Sequence, residues 1–68
     1  MTEQERIAWG ATEDAARKAD IAAVNAGTME FGTAQKNARR RSWQSGMTPT
    51  QAHRAMADAQ RMQRAAAL

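Results

Sequence analysis

Residues 2–27, TEQERIAWGATEDAARKADIAAVNAG, decide the fold. They open on Thr2-x-x-Glu5, a capping-box pattern, and close on Gly27, a good residue just past a helix end. The span predicts one helix from about Glu3 to Asn25. Acids crowd its first turn, as the helix dipole favours. Small residues recur at Ala8, Ala11, Ala15, Ala19, Ala22 and Ala26, in steps of 3, 4, 4, 3 and 4. That is a helical period, and it places all six on one narrow stripe. Glu13, Arg17 and Asp20 fall on the far side of the wheel. The expectation is therefore that alanines pack while these charges face water. Ile7 and Trp9 flank the stripe at its start, with Trp9 as a core plug near Phe31 or the last helix. Ile21 and Val24 broaden the apolar surface at the other end. Gly10 weakens the helix by about 1 kcal/mol against alanine.

Beyond this helix, Gly27-Thr28-Met29-Glu30-Phe31-Gly32 has no helical period and reads as a connection, with Met29 and Phe31 turned inward. Thr33 is placed to cap a second helix over 34–45 that stops at Gly46. Its apolar face is only Ala34, Ala38 and Trp43, and Arg39-Arg40-Arg41 fill its middle. Met47-Thr48-Pro49-Thr50-Gln51-Ala52 is the clearest punctuation in the chain. Thr48 caps, Pro49 takes the first helical position, Gln51 closes the box, and Met47 can staple onto Ala52. A third helix follows over 49–67. Ala52, Ala55, Ala59, Met62 and Ala66 form a seam widened by Met56. Arg54, Asp58 and Arg61 have the spacing of a solvated face.

The chain reads as a single all-α domain of two to three helices, a helical hairpin or small bundle. Seventeen of its 68 residues are alanine, and only twelve apolar side chains are larger. Alanine favours helices but buries little area. A chain this short, without cysteine, lacks disulfides and thiolate metal sites, and oligomerisation or docking is the remaining route to stability. The expected oligomer is a homodimer through Ala8, Ala11, Ala15, Ala19, Ala22, Met56, Ala59 and Met62. The first residues have neither a basic nor an apolar leader pattern, and no apolar run approaches a membrane span. The expectation is a cytoplasmic protein with no membrane partner.

Charge is polarised along the chain. Residues 1–32 carry −3 and residues 33–68 carry +6. Such a layout can steer an acidic partner onto the second half, or let one half lie against the other. Catalytic patterns are lacking: there is no nucleophile elbow, no phosphate-binding glycine loop and no metal-ligand spacing around the lone His53. No enzyme, metal or cofactor is expected. The constellation that points to binding is Arg39, Arg40, Arg41 and Trp43, extended by Arg54, Arg61 and Arg64. Arginine forks grip phosphates and carboxylates, and an indole stacks on a base or on another arginine.

Arg40-Arg41-Ser42-Trp43-Gln44-Ser45-Gly46 resembles the Arg-x-x-Trp-x-x-Gly segment of the ribosome modulation factor family, through Arg40, Trp43 and Gly46. Ala8-Trp9-Gly10 is a fainter echo of that family's earlier helix. The resemblance implies two helices with a connection, and RNA or ribosome contact through the basic segment. The residues themselves favour a small non-enzymatic docking protein, a regulator or inhibitor that occludes a host protein, as phages and mobile elements often encode. RNA or ribosome binding is the alternative. A small DNA-binding regulator is the second, on the superficial helix–turn–helix look of Arg39 to Met62.

Overall fold

The computed structural model describes residues 1–67. It contains helices α1 (Glu3–Asn25), α2 (Phe31–Gln44) and α3 (Pro49–Ala66), with no strand among the described residues. Local chemistry sets most of these boundaries. The Thr2 hydroxyl accepts from the Glu5 amide at 3.1 Å, and the Glu5 carboxylate accepts from the Thr2 amide at 3.0 Å. Thr48 and Gln51 repeat the same reciprocal pair at 3.2 and 2.9 Å. Helices α1 and α2 end alike. The Thr28 amide reaches the Ala23 carbonyl and the Gly27 amide reaches Val24, while Met47 and Gly46 do the same to Ser42 and Trp43. This double closure turns on a left-handed residue, and Gly27 and Gly46 supply it at φ 78° and 74°.

Helix α2 begins three residues before the expected start. Thr33 does not cap it, because the Thr33 amide already donates to the Glu30 carbonyl at 3.0 Å. Glu30 is the cap residue and makes no side-chain capping bond. Phe31 therefore stands at the helix start and is 55% exposed, not turned inward, whereas Met29 is half-buried.

The packing of α1 reverses the expectation. Ala8, Ala15, Ala19, Ala22 and Ala26 are exposed and Ala11 is half-buried, while Gly10, Glu13 and Asp14 are buried. The inward face runs through Arg6, Gly10, Glu13, Arg17, Asp20 and Val24. These step by 4, 3, 4, 3 and 4 and so share the alanine stripe's period on the opposite side. Two physical causes select this face. Gly10 lets the backbones meet, since a Cβ there would collide with the Ala55 carbonyl group of α3. The acids beside it find cations and donors on the other two helices.

Arg6 bonds Asp58 at 2.7 Å and Gln60 donates to Asp14 at 2.8 Å, on either side of that Gly10–Ala55 point. Asp58 and Gln60 lie roughly 160° apart around α3, at 100° per residue, so α1 passes from one flank of α3 to the other. The contact is a crossing, not a long seam. Ala52, Ala55, Met56 and Ala59 are buried beneath it, but Met62 is 56% exposed and Ala66 is exposed. Met56 and Ala59 thus belong to the chain's own core and are not free for a homodimer interface.

Helix α1 packs on both other helices, most extensively on α3, whereas α2 and α3 barely touch. The Cα trace measures 34 × 31 × 14 Å. Two stacked helices need about 13–15 Å, from interaxial spacings of 8–10 Å and a Cα cylinder radius of 2.3 Å. The molecule is two layers thick: α1 forms one, and the splayed pair α2 and α3 forms the other. Each helix is covered on one side only.

Candidate docking face

A neutral quartet fixes α2 against α1. Each carboxylate oxygen of the buried Glu13 takes one arginine: Arg17 Nε at 2.9 Å and Arg41 Nε at 2.7 Å. Arg41 Nη1 also reaches Asp20 at 3.4 Å. The Glu13 bond is the main cause that raises the Arg41 guanidinium above its ordinary value, with burial opposing it. Arg41 is therefore a half-buried structural residue at the α1–α2 contact. Its expected place on a partner-binding surface is corrected by the 100° step between neighbouring helical residues, which turns Arg39, Arg40 and Arg41 three different ways.

With Arg41 directed inward, the opposite side of α2 carries Lys36, Arg39, Arg40 and Trp43, spaced i, i+3, i+4 and i+7. All four are exposed, and Trp43 is 81% exposed, so it does not plug the space between α2 and α3. Lys36 is missing from the binding set expected above. Its spacing to Arg39, Arg40 and Trp43 was the signal that would have found it. Lys36, Arg39, Arg40, Arg54 and Arg64 form no ion pair among the described residues. The acids are mostly engaged. Lys18 and then Gln60 hold the Asp14 carboxyl below its usual range, and Arg6 chiefly does so for Asp58. The positive charge of the second half therefore emerges on the surface of α2 and α3 largely uncompensated.

A groove of about 700 Å³ opens where α2 and α3 splay apart. Helix α2 supplies Gln35, Ala38, Arg39, Arg40, Ser42 and Trp43, the far wall is Met47, Pro49 and His53, and Arg17 of α1 reaches the floor. The lining is mainly apolar, includes three arginines and has no carboxylate. A second hollow of about 190 Å³ lies between α1 and α2, lined by Ile21, Phe31, Ala34 and Asp20. Arg17, Gln35 and Ala38 line both, so the two form one trough along α2. Asp20, its one carboxylate, is held by Arg41.

The structure thus gathers Arg39, Arg40 and Trp43 around one trough. Arg54, Arg61 and Arg64 do not line it. Arg54 and Arg64 stand exposed elsewhere on α3, and Arg61 pairs with Asp58 beside them. Trp9 is half-buried. No group of three or more His, Cys, Asp or Glu suited to a metal occurs among the described residues. No helix among them is long and apolar enough to cross a membrane. Comparison of the chain with protein families, with curated proteins and with solved structures returns no match.

Proposed function

We propose that this is a non-enzymatic docking protein, a small regulator or inhibitor that occludes a protein partner through the trough along α2. The observation that carries this reading is the exposed indole of Trp43 on the rim of an apolar groove that contains three arginines and no carboxylate. Trp and Arg are the side chains that most often dominate protein–protein binding energy. Exposed apolar side chains grouped in a hollow mark an interaction site more than scattered ones do. A regulator of this kind needs only a rigid surface, and the cross-helix ion pairs supply that rigidity.

RNA or ribosome binding is the second reading. It is favoured by the solvent-facing Lys36–Arg39–Arg40–Trp43 stripe, where phosphates and a stacked base could both be met. The experiment that separates them is affinity capture from a cell extract, with and without nuclease treatment, at low and high salt. Docking requires one protein to be retained through high salt by the native chain and lost with Trp43→Glu. The reading fails if the retained material is nucleic acid whose affinity falls steeply with salt, as counterion release dictates. A homodimer through the outward alanines of α1 and the exposed Met62 is tested by sedimentation at micromolar concentration.

A further inference from the structure

We infer that the occupant of the trough is an acidic amphipathic helix of about three turns. This rests on the docking reading above and names the chemistry of its partner. From Phe31 to Trp43 the trough runs along roughly 18 Å of α2, at 1.5 Å per residue. A helix of about 12 residues matches that length, with apolar side chains at i, i+3, i+7 and i+10 laid along the stretch that holds Phe31, Ala38 and Trp43. Its secondary structure follows from this chain's own. The described residues form no sheet, so an extended segment would find no edge to receive its main-chain groups, whereas a helix satisfies its own. Its charge follows from the rim. Arg39 and Arg40 are unpaired cations there, and no free carboxylate faces them. A second copy of this chain fits poorly, because a two-fold contact through the trough sets these arginines against themselves.

The test uses Trp43 emission, with a Trp43→Phe variant defining the Trp9 background. Three probes are titrated: a 14-residue peptide with Leu at i, i+3, i+7 and i+10 and Glu and Ala elsewhere, the same composition broken by a central proline, and a ten-nucleotide single-stranded RNA. The unbroken peptide is expected to shift Trp43 emission to the blue and to bind at least tenfold more tightly than the broken one. Ala38→Glu, which puts a carboxylate on the floor, is expected to weaken it at least tenfold. Should that variant unfold by circular dichroism, the exposed pair R39E/R40E carries the same expectation. Equal binding of the two peptides, or binding of neither, overturns the helical occupant and leaves the docking reading to the capture experiment. RNA binding more tightly than both peptides overturns the docking reading as well.

Discussion

Gly10 lets α1 meet the backbone of α3, and it shows how one missing methyl group orients a helix. A Cβ at this position runs into backbone atoms of Ala55, which cannot swing aside as a side-chain tip can. Gly10→Ala gains about 1 kcal/mol of helix propensity but incurs overpacking of about 1–3 kcal/mol. With backbone as the obstacle the upper end applies, and a net loss of about 2 kcal/mol is expected, roughly 10 °C in Tm for a chain of this size. Thermal melting by circular dichroism checks it, and a rise in Tm would refute the close crossing. Glu13 makes the matching electrostatic case. Glu13→Ala leaves Arg17 and Arg41 without their shared carboxylate; both arginines reach solvent and Arg41 keeps Asp20, so the loss falls below that of a fully buried pair, at about 2 kcal/mol. A lower denaturant midpoint at unchanged slope is expected. Neither residue's role can be read from the chain alone. Glycine in a helix reads as a weakness and Glu13 reads as solvated until the partner helix is in place, because sequence periodicity gives two opposite faces and alanine marks only one of them.

At the scale of elements, the legible features are those with local causes. Both capping boxes and both glycine closures involve residues within five positions of each other, so the stops at Gly27 and Gly46 and the starts at Thr2 and Thr48 are visible in the sequence. Thr48→Ala removes a side-chain cap, and about 1 kcal/mol should be lost, measurable as a shift in denaturant midpoint at unchanged slope. Helix α2 gives the reverse case. Its cap, Glu30, makes no capping bond, and Thr33 was the more familiar cap residue three positions on. Glu30→Asp shortens the side chain to the length that reaches a free amide of the first turn, so a gain of about 0.5–1 kcal/mol is expected in the same assay. What the pattern of α2 could not show is which arginine turns inward. Arg39, Arg40 and Arg41 are chemically equal, and only the position of Glu13 and Asp20 on α1 singles out Arg41.

For the whole molecule, two carboxylates at the α1–α3 contact make stability depend on pH in a definite direction. Asp14 and Asp58 each join α1 to α3, and both carboxyls sit below their ordinary pKa in the folded state. The unfolded chain therefore takes up protons first as pH falls. The stabilisation is fully present above the ordinary carboxylate value of about 4, and it is lost as pH drops through that value toward the folded ones. Melting temperature should be flat from about pH 5 to 8 and fall steeply below about pH 4. Asp58→Asn should lower the plateau and flatten the acid limb together, since the same carboxylate that bonds Arg6 is the one that titrates. An unchanged acid limb in that variant would mean that Asp58 does not hold α1 to α3. Added salt acts on the same contacts with a different weighting. Screening weakens the partly exposed Arg6–Asp58 pair more than the enclosed Glu13 pairs. The gap in melting temperature between the native chain and Asp58→Asn should therefore shrink at high salt.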